Sequence, residues 1–269
     1  MVDVDFSQNA SVYDRRHGAR LPAAAARELV DGLPAGAAIL DVGAGTGRVT
    51  LALAALGFRV VALEPASGML DVLRAKAAGV PAQLVAGEGA RLPFPASSFD
   101  AVVVSRILYL LSDWRGAVRE AIRVLRPGGR LLHEWANGSA DEAWVQIRER
   151  ARTLFEEGGV KNPFHPGARS EDEVDRFLAE KGLTLAGSVS LGPGPPTPLS
   201  DFLTNIDDRE CSYVWNVPAA IQQQCLPALR SWAAERFDLE RGLPLPREIV
   251  WTIYHRSGKL SAVTPQRSV

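Results

Sequence analysis

The residue types and spacing that point most directly to chemistry are three glycines in five positions, Gly43, Gly45 and Gly47, within ILDVGAGTGR. Glycine weakens both strands and helices, so three together mark backbone that bends sharply or lies against a ligand. Asp41 precedes the first of them by two positions, and Glu64 closes the next apolar run. A dinucleotide fingerprint has the spacing G-x-G-x-x-G and sets a pyrophosphate at a helix N-terminus. Here the spacing is G-x-G-x-G, Arg48 stands where the last fingerprint glycine belongs, and Asp41 would repel an anion. The pattern suits a cationic or zwitterionic ligand that carries a ribose, with Glu64 accepting hydrogen bonds from its hydroxyls.

Such a turn needs a frame, and the surrounding sequence supplies one. AAILDVG, RVVALEP, AQLVAGE, FDAVVVS and GRLLHEW are short apolar runs rich in Val, Leu and Ile. Helical segments TGRVTLALAAL, SGMLDVLRAKAA and DWRGAVREAIRVL lie between the first three and before the last. Gly57 and Gly79 occupy C-cap positions and Ser67 an N-cap position. Strands alternating with helices predict right-handed βαβ units and a parallel sheet covered on both faces. LTLAGSVSL reads as a sixth strand and REIVWTIYHR as a seventh, antiparallel at one side of the sheet. The fold class is α/β: a doubly wound, mostly parallel seven-stranded Rossmann-like sheet with helical lid insertions. Residues 1–36 form a lead-in with the helix PAAAARELVDGLP, 37–136 the core, 137–258 the remaining strands with insertions at about 137–182 and 192–245, and 259–269 a tail. Ser170 with Glu173 forms a capping box, PGG at 127–129 a structural turn, and 201–238 a helical stretch.

Bulk composition narrows the function. At 269 residues with 46% hydrophobic and 23% charged, the chain needs neither disulfide nor metal to form a core. A net charge of −1, with 30 basic and 31 acidic residues interleaved, gives no field suited to nucleic acid. Cys211 and Cys225 are expected to be buried reduced thiols. The acidic start MVDVDFSQNAS lacks the apolar centre of a signal peptide, and Ala101–Leu111 is interrupted by Arg106, so a cytoplasmic protein without a membrane partner is expected. No His/Asp cluster at metal-ligand spacing is present.

The blocks ILDVGAGTGR, VVALEPASGML, GEGARLPFPASSFD, VVVSRILYLLSDW and EAIRVLRPGGRL run in order over about 39–135. Together they resemble class I S-adenosylmethionine-dependent methyltransferases, in the small-molecule group that includes ubiquinone and menaquinone biosynthesis enzymes. The resemblance implies S-adenosyl-L-methionine as cofactor, with Asp41, Gly43, Ala44, Gly45 and Gly47 around its methionyl and ribose parts. It places Glu64 on the ribose diol, Pro65 and Met69 beside the adenine, and Glu88 with Gly89 at the adenine amino group. Glu88 stands where the family usually has Asp, one carbon longer. Ser105 and Arg106 fall where the family lines the methyl-transfer site, and the resemblance counts both with the cofactor-binding residues. The lead-in ASVYDRRHGAR resembles the segment that folds over the cofactor, with Tyr13 over the sulfonium and Arg16 or Arg20 on the methionyl carboxylate. A solvated surface arginine is the plainer account of either. The family's Asn/Asp-Pro-Pro-Tyr/Phe stretch for exocyclic base and amide nitrogens is replaced by Ser105-Arg106-Ile107-Leu108, which argues against such acceptors.

Methyl transfer asks for alignment of nucleophile, methyl and sulfur with water excluded, and for a base only when the acceptor atom carries a proton. His133 and Glu134, at the end of the fifth strand, are the base candidates, with His17 and His165 behind them. Within a strand His133 and Glu134 face opposite ways, so one at most meets the acceptor. Each histidine taken alone is also simply read as structural. The insertions are expected to choose the acceptor: Trp135, and Arg209, Ser212 and Trp215 sharing one helix face, are the candidate contacts. Phe202, Tyr213, Trp144 and Phe155 either join them or form the lid's own core. A small-molecule acceptor and a monomer or homodimer are expected. The alternatives are an NAD-dependent oxidoreductase, disfavoured by Arg48 and by the lack of Tyr-x-x-x-Lys, and a non-catalytic protein binding S-adenosylmethionine or S-adenosylhomocysteine.

Overall fold

A computed structural model describes residues 6–135, 142–161, 166–192, 197–210, 212–243 and 250–257. Strands β1 (Ala38–Val42), β2 (Arg59–Glu64), β3 (Ala82–Ala86), β4 (Phe99–Ser105), β5 (Leu125–Glu134), β6 (Leu183–Ser190) and β7 (Val250–Arg256) form one sheet of order β3-β2-β1-β4-β5-β7-β6. All run parallel except β7, which is antiparallel to both neighbours. The continuously apolar runs are the central strands: in β1 and β4, Ile39, Leu40, Val102 and Val103 are fully buried. The edge strand β6 is mostly exposed, with Leu185 at 68%. Burial on both faces, not strand propensity alone, is what made the central runs unbroken.

Helices α1 (Ala10–His17), α2 (Ala23–Leu29), α3 (Thr50–Ala55), α4 (Ser67–Lys76), α5 (Trp114–Val124), α6 (Glu142–Glu157), α7 (Glu171–Glu180), α8 (Leu199–Asp207) and α9 (Ala219–Ala234) surround the sheet, and Thr197–Pro198 pairs antiparallel with Gly242–Leu243 in a separate two-stranded sheet. One face of the sheet packs Leu40, Val102, Val104 and Leu131 against α5 and α7; the other packs Ile39, Val103 and Leu132 against α2 and α3. Helix α4 starts at Ser67 itself, whose side chain makes no cap bond, whereas Asp113 caps α5 by accepting from the Gly116 N–H at 2.8 Å. Ser170 caps α7 as expected, accepting from the Glu173 N–H at 3.3 Å. The PGG turn proves to lie within β5, where Gly128 has φ +77° and the β4–β5 register shifts.

The sheet reverses strand order between β1 and β4, so a crevice opens at the C-terminal ends of these strands. Strands β5 and β6 end at that same edge, and α6 and α8 follow them. Helices α6, α8 and α9 share a separate core of Ile147, Phe155, Phe202, Leu203, Ile206 and Leu229. Helix α7, inside the first expected insertion, instead packs Val174, Phe177 and Leu178 onto the sheet. The helical stretch expected over 201–238 comes as separate pieces: α8 stops at Asp207, a short 3-10 turn spans Ser212–Val214, and α9 begins at Ala219. After α9 the chain is again at the C-terminal edge, so its last strand must run downward, which is why β7 is antiparallel. It sits one place inside the edge, pairing Trp251 with Glu134 of β5 and with Val189 of β6. Replacing the fully buried Trp251 with Ala should cost about 3–5 kcal/mol in urea unfolding. A loss under about 1 kcal/mol would mean that this half of the sheet does not rely on it.

Candidate active site

The loop after β1 is built by its glycines. Gly43, Gly45 and Gly47 have φ of +70°, +54° and +92°, a region that side chains other than glycine's rarely adopt. The Gly43 and Ala44 N–H groups donate to the Leu63 carbonyl at 2.8 and 3.1 Å, tying the loop to β2. A Cβ on Gly43 would lie 2.7 Å from Ile107 Cγ2, and one on Gly47 would lie 2.3 Å from Leu73 Cδ1. Those two glycines are required by packing. At Gly45 the nearest group is Tyr13 Cε1 at 3.7 Å, so this residue faces the crevice beneath Tyr13.

Acids stand directly under the loop. Glu64 is 7% exposed, and its Oε2 accepts from the Gly45 N–H at 2.9 Å while Oε1 accepts from the Ala66 N–H at 3.0 Å. Each oxygen keeps lone-pair capacity for a further donor such as a hydroxyl. Burial raises the Glu64 carboxyl above its ordinary value, against the two backbone donors. Asp41 is buried, accepts from the Thr50 hydroxyl at 2.6 Å, and is pushed by burial to about 6. A diphosphate beside these two carboxylates would be repelled; a sulfonium-bearing nucleoside, with hydroxyls to donate and a positive charge, fits these acceptors. Around the loop, Ala44 and Met69 are buried, Pro65 and Glu88 are exposed, and Gly89 is buried, with a Cβ there 3.1 Å from Val42 Cγ1.

The lead-in lies over this crevice. Tyr13 packs edge-on against Phe6 at 6.1 Å and lies 4.9 Å from the His17 ring; Phe6 meets Trp215 of the lid at 5.2 Å. Lys76 of α4 holds α1 through Asp14 at 2.6 Å and the Gly18 carbonyl at 2.9 Å. Arg16 pairs with Glu210 of the lid at 3.4 Å, so its charge is committed to the lid, while Arg20 is exposed.

At the β4 and β5 ends lies a cluster that sequence reasoning did not assemble. Glu134 is fully buried and receives Arg48 through two bonds of 2.6 and 3.0 Å and the Ser105 hydroxyl at 2.6 Å. The glycine spacing marks Arg48 only as a missing glycine; an acid closing a central apolar strand, which needs a cation, is the signal for the pair. His133 points to the opposite face of β5, as alternation requires. It is 1% exposed, its Nδ1 has no partner among the described residues, and burial lowers its pKa to about 4. Trp135 follows, packed edge-on against Tyr109 at 5.9 Å. Arg106 has φ +58°, its N–H donates to the Glu134 carbonyl at 2.8 Å, and its Nη2 lies 3.4 Å from His17 Nδ1. Burial, then the charges of Arg106, Arg16 and Arg48, hold His17 down to about 3.

Arg209, Ser212 and Trp215 do not share a helix face. The chain turns at Arg209, φ +55°, whose guanidinium donates to the carbonyls of Val217 at 2.9 Å and Trp215 at 3.1 Å and to Gln222 Oε1. Trp215 Nε1 donates back to the Arg209 carbonyl at 2.6 Å. This network closes the α8–α9 loop within the lid. Phe202 and Phe155 are lid core, with the Trp144 ring tilted against Phe202 at 5.0 Å. Tyr213 stands in the 3-10 turn and Cys225 is a reduced, half-buried thiol; His165 and Cys211 lie outside the described residues. Among the described residues no three His, Cys, Asp or Glu are grouped to hold a metal, and no helix is long and apolar enough to cross a membrane.

Residues 40–133 match the methyltransferase domain family. An uncharacterized methyltransferase of Mycobacterium tuberculosis H37Rv is 33% identical over 191 residues, 68% of this chain and 74% of its own. A demethylmenaquinone methyltransferase of Clavibacter sepedonicus is 44% identical over 99 residues, 36% of this chain and 40% of its own. A Bacillus halodurans C-125 protein has the same fold with a TM-score of 0.61 at 20% identity, covering 86% of this chain and 98% of its own. So does the [4+2]-cyclase SpnF, with a TM-score of 0.54 at 17% identity over 87% and 80%. The chain belongs to the class I S-adenosylmethionine-dependent methyltransferases, which sets the dinucleotide oxidoreductase reading aside.

Replacing Arg48 with Met should cost about 3–5 kcal/mol in chemical unfolding, because Glu134 is left charged and buried; Glu134→Met added to it should recover most of the loss. A single variant as stable as the parent would remove the ion pair from this account. On acidification the unfolded chain takes up the His17 and His133 protons first, so stability present above pH 6.5 is lost as pH falls toward 4. Asp41 acts oppositely between about pH 4 and 6, where the folded chain holds its proton. His133→Leu should therefore flatten the fall in urea midpoint between pH 6.5 and 4; an unchanged slope would contradict the burial of this histidine.

Proposed function

We propose that this chain binds S-adenosylmethionine across the β1 and β2 ends and moves its methyl group to a small molecule held under helices α6, α8 and α9. The observation that carries the reading is Glu64, buried at the end of β2 with one lone pair free on each oxygen, beside Gly45 and beneath Tyr13. Glu64 accepts the ribose hydroxyls, and Gly45 keeps the crevice floor free of a Cβ. Asp41 adds negative potential beneath the cationic end, Pro65 and Met69 flank the adenine, and Glu88 and Gly89 meet its amino group. Tyr13 covers the sulfonium and excludes water. When bound, the cofactor supplies a methyl carbon on a cationic sulfur that departs as a neutral thioether.

The remaining work is alignment, which by itself can contribute several kcal/mol. Glu134 serves as the counter-ion of Arg48, its oxygens taken by three donors, and so fixes the loop that carries Gly45 and Gly47. His133, neutral and enclosed, packs beneath Trp135, 6.3 Å from its ring. Loops on a rigid scaffold carry specificity, and both lid segments leave the sheet at the cofactor's edge.

Glu64→Ala should weaken S-adenosylhomocysteine binding at least about tenfold by calorimetry, since a buried diol loses its charged acceptor. Unchanged affinity would take Glu64 out of the site. Labelled methyl appearing on members of a metabolite library in the presence of the parent protein is the expected sign of turnover; binding without any transfer would favour a sensor.

A further inference from the structure

Two arginines stand at the C-terminal edge of the central strands, and they are neutralised differently. Arg48 has both guanidinium nitrogens on Glu134. Arg106, immediately after β4, makes no ion pair among the described residues. Glu134, whose charge bears on Arg106, is already taken by Arg48 and the Ser105 hydroxyl. Among the described residues the Arg106 Nε is enclosed without a partner, Nη2 lies 3.4 Å from the neutral His17 ring, and Tyr109 is a further hydrogen-bond partner. The residue is held there at some expense. Its φ of +58° is a conformation that a long side chain rarely adopts, and the N–H bond to the Glu134 carbonyl fixes it.

Arg106 stands by two phenols, Tyr13 of α1 and Tyr109, and its charge bears on both. Tyr109 packs on Trp135, the last described residue before the segment leading to lid helix α6. The charge of Arg148, on α6, bears on the same Tyr109 phenol. Arg106 therefore lies at the junction of β4, α1 and the lid. A guanidinium out of water needs an anion, and its planar fork matches a carboxylate better than a point charge does. Placing that anion on the acceptor also offsets a cationic sulfur nearby.

We propose that Arg106 binds an anionic group of the methyl acceptor, a carboxylate or a similar planar oxyanion, at the junction of β4, α1 and lid helix α6. The assignment rests on the methyltransferase reading above, with the acceptor under the lid. The test uses the full chain, first with S-adenosylhomocysteine and with 5′-methylthioadenosine, which lacks the amino-acid moiety. Loss of both from the parent protein sinks the methyltransferase reading itself. The chain saturated with S-adenosylhomocysteine is then titrated with benzoate, phenylacetate and hexanoate, and with their amides, by NMR. At least one acid is expected to bind at least about tenfold tighter than its amide, and Arg106→Gln should abolish that preference while Arg106→Lys weakens it. Both variants should keep the parent's melting profile and S-adenosylhomocysteine affinity. If no acid in the parent outcompetes its amide, the acceptor anion is wrong. If Arg106→Gln instead lowers S-adenosylhomocysteine affinity about tenfold and leaves 5′-methylthioadenosine unchanged, Arg106 holds the cofactor's own carboxylate and the proposal is overturned.

Discussion

Burial of carboxylates at one edge of a parallel sheet is the constraint from which the rest of this molecule follows, and Glu134 is its strongest case. A carboxylate with no exposed surface cannot remain charged without donors. Arg48 reaches across the end of β4 to supply two of them and Ser105 a third. That contact joins the glycine loop after β1 to the far half of the sheet. Asp41 and Glu64 meet the same demand by other means, one from the Thr50 hydroxyl and one from backbone N–H groups. The ends of β1, β2 and β5 are thus each locked by a polar contact. A rigid, negatively biased crevice results between them.

Around this edge, the elements that cover the crevice hold each other as well as the core. The lead-in is fastened to α4 by Lys76 and Asp14 and to the lid by Arg16 with Glu210 and by Phe6 with Trp215. The first of these ties is to the rigid sheet layer; the others are to a helical unit with its own hydrophobic core. Half-exposed ion pairs of this kind contribute little stability each. They set where the lead-in rests rather than whether the protein folds. Arg209, in turn, spends its guanidinium on closing the α8–α9 loop, so the lid presents a fixed surface without contributing that charge to the crevice.

The same positions show why some residues were legible in one dimension and others were not. Gly43, Gly45 and Gly47 announced a positive-φ loop because spacing alone carries that message, and Glu64 followed from strand length. Burial on both faces wrote β1 and β4 as unbroken apolar runs, and Ser170 with Glu173 marked the start of α7. Arg48 was visible only as a departure from another motif, since its partner lies 86 positions away on a strand that is not β1's neighbour. Arg209, Ser212 and Trp215 had helical spacing, yet a single residue at positive φ broke the helix, and no periodicity reports that.

What the chain's own order of residues determined, then, was local: the glycine turn, the alternation of strand and helix, the caps, and the class of cofactor that the five spaced blocks imply. Only the tertiary structure decided which charges meet. It paired Arg48 with Glu134, left Arg106 facing two aromatic rings and a neutral histidine, and set the antiparallel β7 one place inside the sheet's edge. Local conformation depends on residues a few positions apart. Neutralising a buried charge depends on whatever distant segment folding brings within about 3 Å of it.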